Sequence, residues 1–227
     1  MRQRSPLRQC SRAEPGRRPS RGNNVRPDDS IRRYSANISA GSLKVAESRV
    51  VADLLLRGVS SEEWRKAVVP DNTLQARNPN TAIRIARLIR QRLEMMEPAL
   101  WRLVRDGSGS VATHALFAAA IKHSPLLGDF LDLVVREQFR VFSGTLPKRL
   151  FDDFLQDCRG RDPEMPEFNA STQRKLQTTI YRILVQAGYL SDTRTLGLKQ
   201  VHIAEEVLAY LRQNGEDYVL RCIQVGL

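Results

Sequence analysis

The sequence predicts an all-α, mostly helical fold with helix-turn-helix-like elements and a small C-terminal β-hairpin wing. Three observations carry this. Apolar residues recur with helical spacing in segments 43–57, 78–93 and 171–188. Pro, Gly, Ser and Asn sit where helices should start and stop. Period-two patterning with turn residues is confined to a short stretch after residue 188.

Residues 1–33 come first. They hold ten arginines against Glu14, Asp28 and Asp29, so +7 of the formal +11 lies there. They offer almost nothing to bury, which predicts disorder. Three readings stay open: a non-specific nucleic-acid arm, a transit-like leader, or sequence upstream of a misassigned start. Two units follow, a helical unit over 34–145 and a winged-helix-like unit over 146–227.

In the first unit, Ser42 is placed to cap a helix over 43–57 that Gly58 terminates. Ser60 or Ser61 caps a short helix with Glu62 and Glu63 in its first turn, where the helix dipole favours them. Pro70, Asp71 and Asn72 break it. The loop that follows contains Arg77 and is longer than the turn of an ordinary helix-turn-helix.

Then comes NPNTAIRIARLIRQRL, residues 78–93. Pro79 suits a helix start, and Asn80 or Thr81 could cap it. Ala82, Ile85, Ala86, Ile89 and Leu93 share one side. Asn80, Arg84, Arg87 and Gln91 fall opposite, with Arg90 and Arg92 flanking. No acid precedes Glu94. Like charges at i,i+3 and i,i+4 repel, so a face carrying only arginine is relieved by an anion. The plain alternative is a solvated surface helix.

Pro98 starts the next helix. The Ala-rich, nearly uncharged stretch 111–123 should be the buried centre. Pro125 and Pro147 open two more helices, and 159–168 reads as a loop.

The second unit begins with TQRKLQTTIYRILVQAG, capped by Ser171 or Thr172 and ended by Gly188. Leu176, Ile180, Ile183, Leu184 and Ala187 form its apolar stripe. Lys175, Thr178, Arg182 and Gln186 form an acid-free polar stripe, with Arg174 and Thr179 beside it. These side-chain types contact phosphates and base edges. Ser191-Asp192 and Gly197 then mark turns between short apolar pieces, the outline of a wing with Arg194 and Lys199 in or near it. Closing helices are expected over 203–213 and 218–225.

Composition bounds the function. Residues 34–227 carry a net charge of only +4, so their basicity is a matter of placement. The excess of Arg over Lys fits phosphate or base-edge contact, and equally a GC-rich genome. Cys10, Cys158 and Cys222 are scattered and odd in number, which points to a reducing compartment rather than disulfides or a zinc cluster. No apolar run approaches the roughly 18 to 20 residues that span a bilayer. A cytoplasmic protein away from the membrane is expected, with a monomer slightly favoured.

No phosphate-cradling glycine loop or His-Glu-x-x-His motif is present. His114 lies among alanines, as a satisfied core histidine would. His123 sits at a helix C-terminus, where a cation is favoured. Asp129 and Asp132 could share a face, and Asp152-Asp153 are adjacent, but nothing around them suggests a metal site. The expectation is a protein without catalysis, metal or cofactor.

Residues 34–227 resemble the BrxA family of bacteriophage-exclusion (BREX) systems. The resemblance rests on an ordered series of motifs. The first is a helix with Glu47, followed by Gly58, Ser60, Glu63 and Trp64, then Thr81, Arg84 and Arg92-Leu93. The series continues in Thr172, Lys175 and Leu176, then Ala187, Gly188 and Leu190. It implies an all-helical protein with helix-turn-helix elements and basic grooves that binds double-stranded DNA. It also implies work beside a site-specific DNA methyltransferase and ATPases in phage defence.

The expected DNA-binding set is Arg77, Asn80, Arg84, Arg87, Gln91, Arg174, Lys175, Thr178, Arg182, Arg194 and Lys199. The alternative is an adaptor that docks on other defence components through the same basic faces and does not bind DNA.

Overall fold

The structure, a computed structural model, describes residues 34–226. The Arg-rich segment 1–33, with Cys10, lies outside them. The described chain forms a 3-10 turn (Asn37–Ala40) and eleven α-helices. These are α1 (Val45–Leu56), α2 (Ser61–Val68), α3 (Pro79–Leu93), α4 (Pro98–Asp106), α5 (Gly109–His123), α6 (Pro125–Asp129), α7 (Arg136–Arg140), α8 (Arg149–Arg161), α9 (Ala170–Gln186), α10 (Glu205–Gln213) and α11 (Asp217–Ile223). A π-helical segment, Phe130–Val135, joins α6 to α7 without a break.

The caps explain most of the boundaries. Ser60 and Glu63 form a reciprocal capping box on α2. Three other starts differ from expectation by a few residues. Asn78, not Asn80 or Thr81, caps α3 by accepting from the Thr81 amide at 2.8 Å. Asn169, not Ser171 or Thr172, caps α9 through the Thr172 amide at 2.9 Å. Ser42 does not cap α1, which begins after Lys44 in the left-handed region (φ 58°) with no side-chain cap. Gly58 (φ 59°) and Gly188 (φ 90°) end α1 and α9 as glycine's backbone freedom allows. Helix α8 runs on to Arg161, shortening the expected loop.

Helix α5 is the centre. From Val111 to Ile121 every residue except Thr113 is buried. Its alanines let α1, α3, α4, α10 and α11 approach closely. His114 is the satisfied core residue expected, accepting from the Ala204 amide at 3.1 Å. A second focus is aromatic. Phe130 meets Phe151 and Phe154 edge-on at 5.4 and 5.3 Å and lies 6.1 Å from Tyr181. Buried side chains from α1 to α11 belong to one hydrophobic cluster.

The β-hairpin wing is not formed. Among the described residues there is no strand, only the isolated antiparallel bridges Thr145↔Gly197 and Leu190↔Leu198. Segment 196–199 divides its backbone between two neighbours. Ser191 and Lys199 amides bond across the 189–199 loop, while Leu146 and Leu198 amides tie it to 144–146. Two local features stop a ladder from growing. Leu196 is left-handed (φ 55°), which breaks the extended run. The Asp192 carboxylate accepts from the Arg194 and Thr195 amides and the Thr195 hydroxyl, winding a compact turn. Those bonds hold its pKa down at about 2.

His123 also departs from expectation. Burial and the nearby Arg92 charge push its pKa down to about 4, so it is neutral rather than a cation at the end of α5. Burial lowers His114 as well.

Two outcomes follow. Phe130→Ala should cost about 3–5 kcal/mol in denaturant unfolding, because it opens a cavity among three aromatic rings. The histidines give a pH dependence of definite sign. The unfolded chain takes up protons near pH 6.5, before the folded one does. Stability is therefore complete above that pH and falls as pH drops toward 4, by up to about 3 kcal/mol for His123. Urea melts from pH 7 to pH 4 should show this slope, and His123→Leu should flatten it.

Candidate nucleic-acid interface

The site begins with a strap, residues 36–44, that crosses between α3 and α9. Its backbone is held by side chains from both. Arg92, on α3, donates to the carbonyls of Gly41 and Ser42, each at 2.8 Å. Gln186, at the end of α9, accepts from the Leu43 amide at 3.0 Å. Arg84 donates to the Ala40 carbonyl at 3.3 Å. Asn37 donates to the His123 carbonyl at 2.6 Å, fixing the strap to α5.

Arg92 is thus not a flanking residue of a polar face. It is 2% exposed. Burial pulls its pKa down only to about 10, so it remains a cation at neutral pH.

Above the strap lies an open groove of about 440 Å³. Ser39, Ala40, Gly41 and Ser42 line its floor. One wall is Arg84 from α3, and the other is Arg174, Lys175, Thr178, Thr179 and Arg182 from α9. Lys44 closes one side. Among the described residues no carboxylate lines it. Lys44 pairs with Glu47 at 2.9 Å. Among the described residues no carboxylate lies within ion-pair distance of Arg84, Arg174, Lys175 or Arg182. Four cations therefore face one concave surface that offers hydroxyls and no anion. Such a surface can hold phosphate oxygens through charge-assisted bonds.

The structure brings together residues that lie about ninety positions apart: Arg84 with Arg174, Lys175, Thr178 and Arg182. It separates others. Arg87 and Gln91 turn away from this groove and line a different cleft, against α2. Arg77 and Asn80 are exposed at the start of α3, outside the groove lining. Arg194 and Lys199 are exposed on the 189–199 loop, also outside it. The sequence reading missed Lys44 and the strap. Nothing in a run of Ser, Ala, Asn and Gly marks it, whereas the arginine that pins it was visible but assigned to the surface.

Little else invites chemistry. Among the described residues no group of three His, Cys, Asp or Glu could hold a metal ion. Cys158 and Cys222 are free and buried. Burial raises both thiols, Cys222 to about 12. Asp129 accepts from Tyr34 and Tyr218 hydroxyls at 2.7 and 2.8 Å, and Asp132 pairs with Arg136 and Arg221. Among the described residues no helix is long and apolar enough to cross a membrane.

Fold and groove together define an all-helical protein whose charged surface is organised around an acid-free cationic groove. The BrxA family model matches residues 32–215. The chain belongs to the BrxA family. It is 56% identical over 195 residues to a Paramagnetospirillum magneticum protein named BREX protein BrxA, covering 86% of this chain and 98% of that one. It is 31% identical over 191 residues to an Escherichia coli protein of the same name, covering 84% and 90%. A crystal structure of an uncharacterized protein from Magnetospirillum magneticum matches with a TM-score of 0.79 and 55% identity. That match covers 85% of this chain and 99% of the other.

The Arg92 clamp yields a test that needs no ligand. Arg92→Lys keeps the charge but cannot donate to both carbonyls in one plane. It should cost about 2 kcal/mol, the scale of a charged hydrogen bond lost in the interior. Hydrogen exchange at the Leu43 amide should accelerate with it. Unchanged exchange there would show that the strap does not depend on Arg92.

Proposed function

We propose that this protein is a DNA-binding, non-enzymatic component of a BREX phage-defence system, and that it grips duplex DNA by its phosphate backbone in the groove between α3 and α9. The observation that carries the reading is the meeting of Arg84 with Arg174, Lys175 and Arg182 on one surface without a carboxylate. Uncompensated like charges held close together repel, and a polyanion relieves them. The names of the relatives supply the BREX context.

The mechanism follows from the donors. Arg84 reaches from the N-terminal half of α3. Arg174 and Lys175 reach from one turn of α9 and Arg182 from about two turns further on, and Thr178 offers a hydroxyl between them. The strap beneath fixes the spacing of the two helices, so the cations meet the phosphates already positioned. These contacts fix position and orientation on the duplex. Phosphate contacts carry no base identity, so the groove by itself binds without strong sequence preference. The methyltransferase and ATPases of such systems would then act on DNA that this protein already holds.

Duplex titrations at several salt concentrations test the reading. Four cations in contact should give a slope of about −3 to −4 in log K against log salt. Arg84→Ala with Arg182→Ala should weaken binding at least tenfold and reduce the slope by about two. Binding that survives this double variant with its slope intact would refute the groove as the DNA site.

A further inference from the structure

The cleft on the opposite flank of α3 differs in kind from the cationic groove. It lies between α2 and α3 and encloses about 480 Å³, within the size range of specific binding pockets. Its floor is apolar: Val68 and Ala86 are buried, Trp64 and Val69 half-buried, and Ile83 is 49% exposed. An isoleucine half in water on an otherwise Arg-rich helix leaves apolar area uncovered. Arg65 and Arg87 stand at the rim. Among the described residues, no carboxylate is within ion-pair distance of either. The single acid among the described residues of the cleft, Glu94, is neutralised by Arg90 at 2.6 Å. Arg90 also lies 4.8 Å from the centre of the Trp64 ring, so the indole is held in place as part of a preformed floor.

We propose that this cleft docks an acidic amphipathic helix of a partner protein, with its apolar side chains against Ile83 and Trp64 and its carboxylates on Arg65 and Arg87. Two helices with an apolar furrow between them accept a third helix by its apolar face. The charges choose among occupants. The chain's own residues 1–33 carry +7 and would be repelled by the rim. A nucleic-acid backbone matches the rim but not the floor, because phosphates gain nothing from isoleucine. An acidic amphipathic helix satisfies both. The assignment does not rest on the DNA reading, because Arg84 and the cations of α9 line the other groove. Helix α3 therefore serves two partners from two flanks.

The test uses the full chain and a small panel of synthetic sixteen-residue helical peptides. Each carries a stripe of Leu with one Phe or Trp, flanked by Glu. A matched set has Lys in place of Glu. Isotope-labelled amide shifts report the site, and anisotropy reports affinity. The Glu peptides should bind saturably, shifting Trp64, Ile83 and Arg87, and the Lys peptides should not. Ile83→Gln, which adds no charge beside Arg84, should weaken the Glu peptides at least tenfold while leaving duplex affinity unchanged. Ile83 is exposed, so the fold should tolerate the change, and an unaltered thermal melt checks this. The double reversal Arg65→Glu with Arg87→Glu should exchange the preference, so that Lys peptides bind and Glu peptides do not. No saturable binding by any Glu peptide would overturn the proposal. So would binding that is lost in Arg84→Ala with Arg182→Ala instead. Displacement of the peptide by duplex DNA, with Ile83→Gln weakening DNA, would give the cleft to DNA. Self-association abolished by Ile83→Gln would give it to a second copy of the chain.

Discussion

The burial of one guanidinium constrains much of this structure. Arg92 lies on a helix whose other arginines reach water, yet it is almost wholly enclosed and faces the carbonyls of Gly41 and Ser42. Removing a cation from water is costly unless its hydrogen bonds are replaced. Two planar donors meeting two consecutive carbonyls replace much of that hydration, and a strap of small residues can come close enough to provide them. Because the strap also reaches α5 through Asn37 and α9 through Gln186, the clamp sets the relation of three helices at once. A lesser consequence appears at His123: burial first, and the Arg92 charge second, hold it neutral far below its ordinary pKa.

Much of this was legible in the sequence because it follows from local rules. Every residue of the predicted apolar stripes of α3 and α9 is buried. The alanine-rich centre, the Ser60 cap with Glu62 and Glu63 in the first turn, and the terminating glycines are local too, and they emerge as expected. The cap positions lie two or three residues earlier than expected because Asn78 and Asn169 accept from the Thr81 and Thr172 amides, starting each helix one turn sooner, and asparagine is among the strongest caps. The wing could not be foreseen to fail. Asp192 does open a turn, but Gly197 falls in a bridge to Thr145, Leu196 adopts a left-handed backbone, and the segment shares its hydrogen bonds with 144–146, a pairing about fifty residues away.

The groove shows the same division. Periodicity identified the acid-free faces of α3 and α9 separately, as two approaches to a partner. It could not show that they are one surface, because the angle between helices is set by tertiary packing. Nor could a helical wheel divide α3 correctly. On a wheel Arg84 and Arg87 belong to one polar side. In the structure α9 stands on one flank and α2 on the other, and the two arginines line different clefts. A polar face is continuous only while the helix stands alone.

This division bears on how a mildly basic protein can be selective. Residues 34–227 carry only +4, so long-range attraction from the helical part is modest. Many of the acids are spent within the molecule: Glu47 on Lys44, Asp53 on Arg57 and Arg105, Glu94 on Arg90, Asp132 on Arg136 and Arg221, Glu216 on Lys122. The unpaired cations that remain on α3 and α9 line two concave surfaces, one floored by peptide backbone and hydroxyls, the other by Ile83 and Trp64. The rim charges have the same sign, so the floor decides the occupant. A polar floor rewards an anion that keeps some of its water, while an apolar floor rewards a ligand that brings its own hydrophobic surface. Selectivity here is thus a property of what lies beneath the arginines rather than of their number.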